Sequence, residues 1–422
     1  MRADVDIKPA GGSIVGLDMG TTKVCAVIGE ISRGHLKIMG FGSAPSRGMR
    51  RGVVVDVEKT IRSIESAVEK AELMAGVKAT AVYAGIAGDH IRSLNSHGAI
   101  ATASSTGAIG RSDKDRVIAT ASTVSVPTDR EIIHVLEQDF SVDGQMGIRD
   151  PVGMVGVRLE ADVHLVTAAV TSTQNVCKCI QRAGYEVRGI VLEPLASAYA
   201  VLEDDERAMG VCVVDIGGGT TDVAIFGNGS VRQTAVIGLG GQNVTSDIAI
   251  GLRASWPQAE AIKCDHGRSL PDPESPESFV SLPGVAGRPN REIPGAQLTA
   301  IIQARMDEIF TMVKRRISDF GAVDSLAAGV VLTGGGVLLN GSTQLAERVL
   351  DLPVRIGIPR RLAGMGERVA SPVYATVLGL VHHGMKSLES NQFQPASRTA
   401  GFTEGRLEVL CSRLKSWFQQ SI

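Results

Sequence analysis

Two aspartate, glycine and threonine phrases carry the chemistry of this chain: Gly16-Leu17-Asp18-Met19-Gly20-Thr21-Thr22-Lys23-Val24 and Val214-Asp215-Ile216-Gly217-Gly218-Gly219-Thr220-Thr221-Asp222-Val223. Each follows one short apolar run and precedes another (25–28 and 223–226), so each reads as strand, acidic glycine turn, strand. Glycine lets the backbone take positive φ and approach a ligand closely, so amide N–H groups can point at anionic oxygens. Threonine hydroxyls add donors. An aspartate at a strand end suits hydrated Mg²⁺, which takes carboxylate plus water. One such turn is ordinary hairpin grammar. A pair, with Asp18 and Asp215 in equivalent places, predicts a duplicated domain that holds a nucleotide from both sides.

Three further segments extend the set. Glu193-Pro194-Leu195-Ala196-Ser197-Ala198 puts a carboxylate at a strand end with proline at the first helical position. There it can orient a water for attack on a γ-phosphate, because phosphoryl transfer rests on positioning and charge stabilisation. Taken alone, it reads equally as a helix-start glutamate favoured by the helix dipole. Leu239-Gly240-Gly241-Gln242-Asn243 places two glycines before a helix, a phosphate-approach signal. Leu332-Thr333-Gly334-Gly335-Gly336 ends a strand and opens a helix, which allows close approach to a sugar or base. A bare glycine triplet is also compatible with a simple turn.

Composition narrows the function. A chain of 422 residues exceeds one compact core and predicts several domains. A formal net charge of −2 and only 4% aromatic residues offer nucleic acid neither electrostatic attraction nor stacking platforms. Cys25, Cys177, Cys179, Cys212, Cys264 and Cys411 lack paired metal-ligand spacing, so reduced, structural thiols of a cytosolic protein are expected. The first dozen residues contain no apolar signal segment, and no run approaches ~18 apolar residues, so neither secretion nor a spanning helix is expected.

The elements that must position these groups follow from periodicity. Residues 1–12 read as a disordered tail; strands are expected at 13–17, 24–30, 36–41 and 81–87, with a helix over 57–74. From 89 to 164 the character changes to an inserted small α+β unit: a helix at 113–125, a strand at 132–140 and a strand pair at 154–166. The core then resumes with 163–170, a helix at 173–183, a strand at 186–192 and a helix at 195–202. Strands at 211–215, 222–226 and 230–237 repeat the programme, with helices at 243–252, 296–320, 340–350 and 372–381 and a strand at 330–332. Residues 265–294 read as loops and short strands, and 384–401 as a polar linker.

In this order the motifs resemble those of the actin-like ATPase superfamily, which includes actin, MreB, DnaK-type chaperones and sugar kinases, over roughly residues 13–385. The resemblance implies an α/β fold: a duplicated, ribonuclease-H-like core with a nucleotide cleft, binding ATP and Mg²⁺. It assigns Asp18 and Asp215 to Mg²⁺ through water. It assigns Gly20, Thr21, Thr22, Lys23, Gly217, Gly218, Gly219, Thr220 and Thr221 to the phosphates, with Gly240, Gly241 and Asn243 beside them. Glu193 falls at the hydrolytic carboxylate, and Gly334, Gly335 and Gly336 at the adenosine motif. Ala259-Glu260-Ala261-Ile262-Lys263 resembles a stretch whose Glu260 and Lys263 face ribose and adenine; a solvated helix face is the other reading. His266 stands where relatives often carry another aromatic before glycine, so adenine packing there can differ.

The last residues narrow the resemblance. Over 402–422, Leu407, Leu410, Cys411, Leu414, Trp417 and Phe418 fall on one helical stripe, with Arg406, Arg413 and Lys415 beside it. A basic amphipathic end on a polar tether suits an anionic membrane surface; docking of the stripe on the body is the alternative. An actin-like core with this end resembles the FtsA family of cell-division proteins. Gly48-Met49-Arg50-Arg51-Gly52-Val53-Val54 and the helix Ile301-Ile302-Gln303-Ala304-Arg305-Met306-Asp307-Glu308-Ile309-Phe310 resemble stretches of that family. The resemblance implies subdomain 1A at 13–88 and 165–209, and an SHS2-like subdomain 1C at 89–164 that meets later division proteins. It places subdomain 2A at 210–249 and 326–383, and subdomain 2B at 250–325, which receives the FtsZ C-terminal tail at Arg305. It further implies actin-like self-assembly, slow or absent ATPase activity, and a peripheral location on the cytoplasmic side of the bacterial inner membrane at the division site. Rival readings are a PilM-like pilus-assembly protein and a sugar or acid kinase of the same fold; a DnaK-type chaperone would need a further peptide-binding domain.

Overall fold

The computed structural model describes residues 8–9, 13–32, 35–103, 107–271, 279–282, 289–321, 325–360 and 362–392. Two sheets form the core. The first has six strands in the order Glu186–Leu192, Ala81–Ile86, Ser13–Met19, Lys23–Ser32, His35–Pro45, Leu362–Gly364. The second has five: Ser230–Ile237, Thr221–Gly227, Val211–Ile216, Val330–Thr333, Val354–Ile356. In each, an antiparallel hairpin carries the acidic phrase and its first strand pairs in parallel with a later one. The duplication is thus structural as well as sequential.

The central strands are buried along nearly their whole length, as expected for near-continuous apolar runs covered by helices on both faces. Helix Val57–Ala75 covers the first sheet through Ile61, Ile64 and Val68. Asp56 caps its start by accepting from the Lys59 amide at 3.0 Å, and Gly76 ends it at φ +69°. Helix Gly295–Asp319 buries Ile302, Met306, Ile309 and Phe310 in the core of the second half.

The inserted unit is a four-stranded antiparallel sheet, Gln145–Ile148, Arg130–Val142, Arg158–Ala169, Arg92–Ala101, with helix Arg111–Ala121 on one face. It docks side-on against Ser230–Ile237, an edge strand of the second sheet. Gln138 Nε2 donates to the Val231 and Arg232 carbonyls, Ser93 Oγ to the Thr234 carbonyl, and His164 Nε2 lies 2.9 Å from Thr234 Oγ1. An exposed edge that would otherwise template aggregation is thereby covered.

Four expectations change. In place of a strand pair over 154–166 there is one long strand, Arg158–Ala169, which pairs within the inserted sheet along its length, so 163–170 does not resume the core sheet. Arg92–Ala101 is a strand that periodicity does not predict, because polar and apolar residues do not alternate along it and both kinds are exposed. Within the expected tail, Lys8–Pro9 pair with Val77–Lys78. The linker expected from residue 384 is helical up to residue 392, because the closing helix runs Ala375–Gln392. Gly384 is a packing position there: a Cβ would stand 2.5 Å from Ile14 and 2.7 Å from Tyr83. The stripe residues Leu407, Leu410, Leu414, Trp417, Phe418, Arg413 and Lys415 lie outside the described residues. Among the described residues no helix is long and apolar enough to cross a membrane.

Candidate functional site

The turns of the two hairpins face each other. A Cβ on Gly218 would stand 2.0 Å from Thr22 Oγ1, and one on Gly219 would stand 2.5 Å from Thr21 Oγ1. Glycine is required here because backbone meets side chain across the two halves. A cavity of about 370 Å³ opens above this contact, within the usual range for small-molecule sites. Asp18, Gly20, Thr21, Thr22, Lys23, Glu193, Asp215, Gly217, Gly218, Gly219, Thr220, Gly241, Glu260, Lys263, Gly334, Gly335 and Gly336 all line it.

Three of the sequence-predicted residues do not line it. Thr221 Oγ1 donates to the Leu239 carbonyl, Gly240 packs on Gly217 and Gly218, and Asn243 Oδ1 accepts from the Gly240 amide. The amides at the start of helix Gly241–Leu252 are occupied too: Gly241 N donates to the Gly217 carbonyl and Gln242 N to the Gly218 carbonyl. The 239–243 segment therefore buttresses the second hairpin; in this structure these amides are not free for a phosphate.

Acid collects at the base of the cavity. Asp18, Asp215 and Asp222 are 6%, 7% and 2% exposed, and Glu193 begins helix Glu193–Val201 beside them. Burial is the main cause that pushes all four upward. Asp18 rises to about 6 and Asp222 to about 8, and Glu193 is pushed well above the carboxylate range. Mutual repulsion adds to this: Asp215 acts on the other three, and Asp18 and Asp222 on Glu193. Asp215 also rises, opposed by hydroxyl hydrogen bonds from Ser197 and Thr376 and by Lys23. Asp222 Oδ2 accepts from Thr220 Oγ1 at 2.8 Å, while its buried Oδ1 has no partner among the described residues. Such a cluster attracts a cation. Among the described residues no three acidic, His or Cys side chains are close enough to ligate a metal directly. Carboxylates at strand ends are of the type that holds a hydrated Mg²⁺, which takes carboxylate plus water.

The cavity also has apolar lining from Met306, Leu338 and Leu339. Lys263 Nζ donates to Glu260 Oε2 at 2.7 Å and Thr245 Oγ1 at 2.9 Å. Gly334 takes φ +86°, and a Cβ there would stand 2.3 Å from Asp215 Oδ1. Sequence reading leaves Asp222, Gln242, Cys264, Val373 and Thr376 out of this cavity, yet they line it. Asp222 was findable as the second strand-end acid of its phrase; Val373 and Thr376 carry no local signal. Cys264 corrects the expectation of structural thiols, because it is exposed in the cavity while Cys25, Cys179 and Cys212 are buried.

Arg305 sits elsewhere, in a shallow hollow of about 300 Å³ with Asp247, Ile301, Ala304 and Glu308. Its Nε and Nη2 donate to the two Asp247 oxygens at 2.6 and 3.0 Å, and Nη1 pairs with Glu308. Asp307 turns instead to Arg348.

Two like halves meeting at paired acidic hairpins over a cavity define an actin-like nucleotide-cleft protein. Solved structures agree at the level of fold. A PilM-PilN type IV pilus biogenesis complex superimposes with a TM-score of 0.65 at 17% identity, covering 88% of this chain and 98% of that one. MreB5 of Spiroplasma citri bound to ADP gives 0.56 at 14% identity, covering 92% and 100%. Sequence comparison is more specific. A family model described as cell division protein FtsA matches residues 212–379, and one described as the SHS2 domain inserted in FtsA matches 88–167. Cell division protein FtsA of Pseudomonas aeruginosa is 43% identical over 411 residues, 97% of this chain and 98% of that protein. That of Neisseria meningitidis is 44% identical (96% and 97% covered), and that of Escherichia coli K12 is 37% identical (96% and 97%). The chain belongs to the FtsA family of cell division proteins.

Proposed function

We propose that this chain is an ATP-binding division protein that assembles into actin-like filaments on the inner face of the cytoplasmic membrane and ties FtsZ filaments to it. The observation that carries the reading is the convergence of two phosphate-type hairpins on one cavity lined by three buried aspartates and half-buried Glu193. Asp18 and Asp215 hold the water shell of Mg²⁺, and Asp222, with its unpartnered oxygen, adds a third carboxylate. When bound, Mg²⁺ neutralises charge on the β- and γ-phosphates. Lys23 and the amides of Gly20, Gly218 and Gly219 orient those phosphates, with Gly217 shaping the turn through its own bond to the Thr220 carbonyl; Glu260 and Lys263 orient the ribose, and Met306 and Leu339 the base. Glu193 orients a water only once ionised. Burial and three acidic neighbours oppose that ionisation, which suits slow or absent hydrolysis.

Arg305 receives the FtsZ C-terminal tail, with Ile301 and Ala304 as the apolar floor of its hollow. The inserted sheet meets later division proteins. The stripe at 407–418 binds anionic lipid, weakly per copy and strongly along a filament through multivalency. Co-sedimentation with anionic liposomes and ATP tests this, using the whole chain and a chain ending at residue 401. Pelleting of the whole chain alone, with recruitment of an FtsZ tail peptide, supports the reading. If both remain in solution, the membrane role fails.

A further inference from the structure

Both hairpins grip one short segment of chain far away in sequence. From the first, Lys23 Nζ donates to the Val373 carbonyl at 2.6 Å and lies 4.5 Å from the Tyr374 ring centre. From the second, Asp215 Oδ2 accepts from Ser197 Oγ at 2.6 Å and from Thr376 Oγ1 at 3.1 Å, and the two hydroxyl oxygens stand 3.0 Å apart. Ser197 belongs to the helix that Glu193 begins, and Thr376 to the first turn of Ala375–Gln392. Both hydroxyl residues are buried, at 0% and 8% exposure. The other oxygen, Oδ1, lies against the backbone of Gly334. One oxygen of Asp215 is therefore held twice, while the residue still lines the cavity and the absence of a Cβ on Gly334 leaves room at the other oxygen.

A carboxylate that acts on a metal through water transmits its own orientation to the water shell, so the groups that fix it govern metal affinity. The two hydroxyls donate to the same carboxylate oxygen and so fix the plane of the carboxylate. The helix carrying Thr376 is itself immobilised. A Cβ on Gly16 would stand 2.6 Å from the Val377 carbonyl oxygen, and one on Gly379 would stand 1.7 Å from the Ala196 carbonyl oxygen. Thr376 is thus a fixed reference point.

We propose that Thr376 and Ser197 are positioning residues for Mg²⁺ in the nucleotide site, acting through Asp215. The inference rests on the reading of the cleft given above. Its test is ATP binding by calorimetry across a Mg²⁺ series and in EDTA, on the full chain and its Thr376→Val, Thr376→Ser and Ser197→Ala variants. The Val variant is expected to need roughly tenfold more Mg²⁺ for half-maximal tightening of ATP binding. Its affinity in EDTA should be unchanged, and Ser should restore the parent response. Ser197→Ala should shift the Mg²⁺ requirement in the same direction, which keeps the test open if the Val variant fails to fold. A Mg²⁺-dependent parent with an unshifted Val variant overturns this inference alone, as does an equal loss with and without Mg²⁺, the mark of a merely structural role. A parent that binds ATP without regard to Mg²⁺ overturns the cleft reading and this inference together.

Discussion

The two hairpins share a backbone plan and divide the chemistry unequally. The first has one turn glycine lining the cavity, Gly20, and supplies the cation, Lys23; the second has three in a row and supplies two acids, Asp215 and Asp222. Asp18 is opposed by Lys23, whereas Asp222 keeps an oxygen with no partner among the described residues. Duplication set two like supports facing each other. Divergence then let one half carry the positive charge and the other the close backbone approach and most of the negative charge.

The largest expected effect comes from breaking the acidic half. Asp215→Asn should weaken Mg²⁺-dependent ATP binding by about a hundredfold, measured by calorimetry; a loss under threefold would show that the second hairpin does not lead. Asp222→Asn should do two opposite things. It should reduce the gain in Tm from Mg²⁺ and ATP together, and stabilise the ligand-free protein at alkaline pH. The sign follows from a folded value of about 8 against an ordinary carboxylate value of 3.8. The wild-type group stabilises at low pH, and that contribution is lost as pH rises from about 4 through about 8. Ligand-free Asp222→Asn should therefore gain Tm over wild type at pH 8.5 and little at pH 4; a flat difference across pH contradicts the assignment.

Contact between the turns offers a smaller contrast. Gly218→Ala puts a Cβ 2.0 Å from Thr22 Oγ1, whereas Gly20→Ala meets nothing nearer than 3.1 Å. The first should cost about 1–3 kcal/mol of stability and the second clearly less, read from urea midpoints; equal costs would show that the halves do not bear on each other there. The smallest effect lies at the inserted sheet. His164 is buried against Thr234 and pushed down to about 4, so its contribution is present above pH 6.5 and lost as pH falls through about 4. Amide protection factors in Arg92–Ala101 and Ser230–Ile237, referred to the intrinsic exchange rate at each pH, should fall on acidification in the wild type. A His164→Gln variant should lose that response.

What sequence disclosed and what it concealed divide along the same physical line. Acids at strand ends and glycines between apolar runs are local signals, and Asp18, Asp215 and the 57–75 helix stand where such signals put them. Tertiary contact has no local signature. Lys23 meets Val373 across 350 residues and Asp215 meets Thr376 across 161, so the third grip on the site was invisible. Gly384 reads as the start of a polar linker until Tyr83 is found against it. Gly240 and Gly241 read as phosphate donors until the Gly217 carbonyl and the Asn243 side chain are seen to take their amides. Arg92–Ala101 escaped because its two faces lack the apolar alternation by which strands are recognised.

The central claim is that the asymmetric pair of hairpins forms a site whose buried acids require a cation to accept a nucleotide. Calorimetric titration of ATP into the full chain, once with Mg²⁺ and once with EDTA, tests it most directly. The account predicts tight binding with Mg²⁺ and binding weaker by at least tenfold in EDTA. Equal affinity in the two buffers, or none in either, would contradict it.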